Sequence, residues 1–132
     1  MRMKLTTLAI ACALAAGALA AGTAVAYAAL GGAQAPSVRA AAVVDADGGV
    51  VRSKGVTAVR KIATGQYCIE LDADYDAARS VPVATKRWGA PWNSTVFVNA
   101  NTATCGSAAR HVFVAGGNNG AGADVPFHVI VP

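Results

Sequence analysis

Hydrophobic and polar positions alternate in short runs along this chain, and the clearest run is Gln66-Tyr67-Cys68-Ile69-Glu70-Leu71. Tyr67, Ile69 and Leu71 face one way, and Gln66, Cys68 and Glu70 the other. A period of two, rich in aromatic and β-branched residues, predicts a half-buried strand. Thr64-Gly65 just upstream predicts a turn. Before it, residues 56–63 alternate imperfectly, with Thr57, Val59 and Lys61 on one face and Val56, Ala58, Arg60 and Ile62 on the other. Residues 56–71 therefore predict a β-hairpin.

Shorter runs flank that hairpin. Residues 41–44 and 50–52 enclose Asp45-Ala46-Asp47-Gly48-Gly49, which has the composition of a turn, and predict a second hairpin. Residues 72–80 read as an acidic loop with one helical turn over 75–79. Further strands are expected over 81–87, 95–99, 110–115 and 125–131. Pro82 lacks a ladder donor and belongs at a strand start or a sheet edge. In the final run Val125, Phe127, Val129 and Val131 share one face, and the glycine-rich stretch 116–122 predicts a flexible turn with Asn119-Gly120 at its tip. Six to eight short strands without a convincing helix predict an all-β fold, a small single-domain β-sandwich or partly open barrel.

The first residues do not follow this pattern. Arg2 and Lys4 precede an unbroken small-apolar run, and Ala24-Val25-Ala26 supplies the small residues that a signal peptidase requires. The three-part pattern predicts a secretory signal peptide over residues 1–26, with Ala26-Tyr27-Ala28 offering cleavage after Ala28 instead. The alternative, a retained membrane anchor, fits the run's length but not its alanine and glycine content. Cys12 lies inside the run and leaves with it. Residues 27–40, mostly Ala, Gly, Gln, Pro and Ser, are expected to be a flexible N-terminal tail, and residues 41–132 the all-β domain.

Removing the leader changes the charge. The chain carries eleven Lys and Arg against seven Asp and Glu, a net +4. Without Arg2 and Lys4, nine basic residues face seven acidic ones. The remainder are scattered apart from the Arg60-Lys61 and Lys86-Arg87 pairs, so no basic stripe exists to track a nucleic-acid backbone. The mature chain of about 105 residues is the size of one domain with a modest core. Cys68 and Cys105 remain as an even pair in an exported protein, which predicts one disulfide stabilising the fold by roughly 4 kcal/mol. A metal pair or a catalytic thiol are the rival readings; the first needs further ligands nearby, and the second needs a thiol kept reduced outside the cell.

The order Asp47-Gly48, Arg52, Gly55-Val56, Arg60, Thr64-Gly65-Gln66-Tyr67-Cys68, Val81-Pro82-Val83, Cys105 and Phe127-His128-Val129-Ile130-Val131-Pro132 resembles a group of small secreted actinobacterial proteins of unknown function. In that group a G-x-Y-C strand precedes a second cysteine, and an apolar strand ends the chain. The resemblance implies a compartment and a fold type. It carries no catalytic residue.

Candidate chemistry is sparse. Both tryptophans, Trp88 and Trp92, fall within five residues of each other in a Gly/Pro loop, beside Asn93. Exposed, they would offer indole faces to sugar rings; folded back, they would cap a small core, the commoner fate of Trp. Asp72, Asp74 and Asp76 copy the first three positions of a calcium loop, but Ala77 and Val83 stand where it needs glycine and glutamate, so a solvated acidic turn is expected and no metal site. Asp45 and Asp47 take the same reading. His111 and His128, with Ser107 or an aspartate, could be made to spell a hydrolase triad, but the sequence has no nucleophile elbow or comparable local signature. The sequon Asn93-Ser94-Thr95 carries little weight in a bacterial protein. The expectation is a secreted, non-enzymatic β-domain without cofactor, an interaction or structural module at the cell envelope. Its expected partner is an envelope polysaccharide or protein, with Trp88, Trp92 and Asn93 as the binding residues. A carbohydrate-binding module and a small secreted protease inhibitor are the specific forms considered. No nucleic-acid partner is expected, and membrane contact only through the uncleaved leader.

Overall fold

The computed structural model describes residues 25–132. The predicted leader lies outside the described residues except for its last two. The strands in chain order are β1 (Val25–Ala28), β2 (Ala40–Val44), β3 (Val50–Lys54), β4 (Val56–Ala63), β5 (Gln66–Leu71), β6 (Val83–Lys86), β7 (Ser94–Asn99), β8 (His111–Asn118), β9 (Ala121–Gly122) and β10 (Phe127–Val131). A 3-10 turn at Ala77–Arg79 separates β5 from β6. The strands form two antiparallel sheets that do not close into a barrel. One runs β1-β4-β5-β8-β7, with β9 pairing β8; the other runs β3-β2-β10-β6. This is the small all-β domain that the alternation predicts, in its two-sheet form.

The β4–β5 hairpin turns at Thr64-Gly65, with Ala63 opposite Gln66. The imperfect alternation of β4 has a cause in its ladder. The register shifts between Val56 and Ala58 and again between Lys61 and Ala63. An irregularity of this kind resets which face a side chain takes, so Val56 and Val59 are both buried although they are three residues apart. In β5 the period of two is regular, and Tyr67, Ile69 and Leu71 are completely buried. The terminal strand likewise buries Phe127, Val129 and Val131, and Val125 just before it.

The inward faces of both sheets meet in one core. At its centre Tyr67 of β5 and Phe127 of β10 contact edge to face, with ring centroids 5.0 Å apart and planes at 61°. A buried phenol needs partners for its oxygen. The Tyr67 hydroxyl donates to the Ala46 carbonyl and accepts from the Val125 N–H at 3.2 Å, tying the turn after β2 to the lead-in of β10. Burial, reinforced by Asp124, pushes the Tyr67 pKa up to about 12; the Val125 bond opposes that rise, and Asp47 adds a smaller contribution to it.

Cys68 points away from this core, on the outer face of the first sheet. It bonds Cys105, with Cα atoms 5.6 Å apart, the disulfide that the even pair of cysteines predicts. The bond pins the long connection between β7 and β8 over the sheet. Arg60, opposite Cys68 in the ladder, donates from Nη2 to the Cys105 carbonyl at 2.9 Å.

At Gly55 the chain crosses from β3 in one sheet to β4 in the other. Its φ is +65°, and a Cβ there would lie 2.3 Å from the Arg39 carbonyl oxygen, so both conformation and space require glycine.

The segment expected as a flexible tail over 27–40 is bonded along most of its length. Val25 to Ala28 pair with Lys61 to Ala58, and Tyr27 and Ala29 pack against the core. Gly31 and Ala33 exchange backbone bonds with Ser53, whose buried hydroxyl accepts from the Gly31 N–H at 3.0 Å. Lys54 Nζ then donates to the carbonyls of Ala35 and Val38 at 2.7 and 2.9 Å. Backbone pairing and one lysine hold this strap, with little apolar burial of its own. Among the described residues no helix is long and apolar enough to cross a membrane.

Candidate functional site

The loop between β6 and β7 passes from the edge of one sheet to the edge of the other, and both of its ends are fixed. At the β6 end the Arg87 N–H donates to the Pro126 carbonyl at 3.0 Å, and Arg87 Nη1 meets Asp45 Oδ1 at 2.6 Å. At the β7 end Ser94 is buried, with its N–H and hydroxyl both turned back onto the Pro91 carbonyl. Lys86 spans the loop from beneath, donating from Nζ to the carbonyls of Trp92 and Ser94 at 3.0 and 2.9 Å. The Asn93 carbonyl accepts from the Asn119 N–H at 3.5 Å, which sets the loop against the tip of the β8–β9 hairpin. Tight turns at Arg87-to-Ala90 and Pro91-to-Ser94 complete the backbone.

Trp88 and Trp92 stand out from this frame. They are 92 % and 84 % exposed. Their centroids are 6.1 Å apart and their planes lie at 86°. The expectation that rings in such a loop fold back to cap the core therefore fails. Ser94 and the Arg87 backbone hold the loop's base, and Val125 and Phe127 already fill the core below. Burying an indole would contribute on the order of 4 kcal/mol, so two left in water forgo a large term, and exposed apolar patches of this kind mark interaction sites. Lys86, Arg87, Gly89 and Ala90 complete the cleft beside the rings. Asn93, next to Trp92 in the chain, is exposed.

The remaining candidates are dispersed. Asp72 accepts from the Thr57 hydroxyl at 2.8 Å, and Asp76 caps the 3-10 turn by accepting from the Ala78 N–H. Asp74 is exposed. The partial calcium pattern is thus spent on local structure, and among the described residues no three His, Cys, Asp or Glu side chains gather as a metal would require. Asp45 pairs with Arg87, and Asp47 accepts from the Gly49 N–H at 2.8 Å within its own turn. His111 lies on β8 and His128 on β10, in different sheets. His111 Nδ1 faces the Ser107 carbonyl at 2.9 Å and its Nε2 lies 4.0 Å from Glu70, which Arg110 also holds at 3.0 Å. A triad would set Nε2 against a serine hydroxyl; at His111 it is Nδ1 that meets Ser107, and through the carbonyl.

Two contributors escape a reading of the sequence. Asp45 supports the tryptophan loop from 42 residues away, and Lys86 does so by turning its ammonium back onto two carbonyls of the same loop, which no residue pattern reveals. Phe97 on β7 is 67 % exposed, although it sits in an alternating strand whose other face is half-buried. Comparison with protein-family models, curated proteins and solved structures finds no match to this chain.

Proposed function

We propose that this protein is a secreted, non-enzymatic binding domain of the cell envelope or extracellular space, and that its contact surface is the Trp88–Trp92 corner. The observation that carries the reading is the pair of almost fully exposed indoles on a loop fixed at both ends. Exposed aromatic faces favour apolar and cationic surfaces, and the C–H faces of sugar rings are such apolar surfaces. Both cations lining the cleft are engaged, Lys86 by two carbonyls and Arg87 by Asp45. That points to a neutral saccharide ahead of an acidic one. Asn93, exposed beside Trp92 in the chain, supplies a polar group that would orient sugar hydroxyls. The disulfide suits an oxidising compartment.

The test uses the two tryptophans themselves, which are the only ones in the chain. Titrating the protein's fluorescence with neutral cell-wall polysaccharides should give a saturable shift. Replacing both by alanine should abolish retention on the same polymers and leave the far-UV spectrum unchanged. A flat titration across neutral polymers would sink the proposal. A second reading, protease inhibition, draws on one observation: the disulfide anchors an exposed loop around Cys105. Micromolar protein without effect on a panel of secreted proteases would dismiss it.

A further inference from the structure

Building on the saccharide reading, we infer that the site takes a single solvated glycan chain and rejects the flat face of an insoluble, crystalline polymer. The geometry of the two indoles carries this. The surface of a packed polymer presents sugar rings in one plane, so a site that grips it with two aromatics must lay both rings in one plane as well. Trp88 and Trp92 stand at 86° to each other. With one indole flat on such a surface the other is edge-on, and its face meets only water. Laying both flat would give up their edge-to-face contact, an arrangement that aromatic pairs prefer.

The backbone beneath the two rings is tied down. Its base is held by the Pro126 carbonyl, the Asp45 ion pair, the two Lys86 bonds and the buried Ser94. A free chain meets the corner differently. One sugar can stack its C–H face on one indole while the next ring, turned about the glycosidic bond, lies against the other. Such a bend is available to a single strand in water and denied to chains locked in a lattice. Both walls then contribute, so neither tryptophan alone suffices.

The experiment pairs soluble and insoluble forms of the same sugar: six-residue cello- and chito-oligosaccharides followed by tryptophan fluorescence, and microcrystalline cellulose and chitin followed by pelleting. The expected result is saturable binding to at least one soluble oligosaccharide, with at least tenfold weaker binding to the matching solid. Trp88→Ala and Trp92→Ala should each weaken the soluble interaction at least tenfold. Equal or tighter binding to the solid would overturn the inference while leaving the tryptophan site standing. Full binding by either single variant would overturn it too, because one wall would then be enough. No binding to either form would overturn both this inference and the saccharide reading beneath it.

Discussion

Tyr67 and Phe127 meet edge to face inside the sandwich at 5.0 Å, and Trp88 and Trp92 meet edge to face outside it at 6.1 Å. The first pair joins the two sheets and is sealed from water, with the Tyr67 oxygen bonded on both sides. The second pair joins nothing within the fold. Its supports, Lys86, Arg87 and Ser94, all act on the backbone beneath and leave the rings free. The same contact therefore does opposite work in the two places. In the core it adds to burial that the fold depends on; on the loop it shapes a surface left open to water.

The largest effect that tests this contrast is Phe127→Ala. Deleting a fully buried ring should cost about 3–5 kcal/mol, a large part of the stability of a small domain; denaturant unfolding would show it, and a loss below about 1 kcal/mol would remove the core pair from its central place. Replacing Cys68 and Cys105 together by serine should cost roughly 4 kcal/mol or less, given a loop closed across 37 residues. Tyr67→Phe is milder. It leaves the Ala46 carbonyl and the Val125 N–H without their partner, for about 1–3 kcal/mol.

The same tyrosine makes a pH prediction. Its folded pKa of about 12 lies above the usual 10, so the folded state holds its proton longer than the unfolded one. The associated stability is fully present below pH 10 and is lost as pH rises towards 12, at about 1.4 kcal/mol per pH unit. Unfolding free energies at pH 9 and 11 should diverge between wild type and Tyr67→Phe; parallel profiles would refute the assignment. At the small end, changing Trp88 and Trp92 to alanine should move stability by no more than about 0.5 kcal/mol. A larger loss would collapse the distinction between the two pairs.

Alternation was legible wherever one face of a strand is dry and the other wet. That is why β5 and the face Val125-Phe127-Val129-Val131 could be assigned from sequence with their inward residues. The β4–β5 hairpin was legible too, but the faces of β4 were not, because its irregularities interrupt the period. β1 left no trace in the pattern. Val-Ala-Tyr-Ala pairs along β4 through its backbone, and only Tyr27 adds a sizeable side chain to the core. For the tryptophans, sequence could place both rings on one loop but favoured covering the core over leaving it. That choice depends on the long-range bonds from Arg87 to Asp45 and Pro126, which hold the base of the loop. The disulfide followed from compartment and parity alone, without geometry.

The position of β1 bears on how the protein would be made. Its four residues are the ones across which the leader is expected to be cut, after Ala26 or Ala28. Proteolysis and strand pairing then draw on the same stretch of backbone. A chain starting at Tyr27 keeps the tyrosine that lies against Gly48 and the half of the strand opposite Ala58 and Val59. A chain starting at Ala29 loses the strand and bares the ladder groups of β4 from Ala58 to Lys61, an edge open to pairing with another molecule. A shift of two residues in the cut would thus decide whether any of β1 is left to cover the edge of β4.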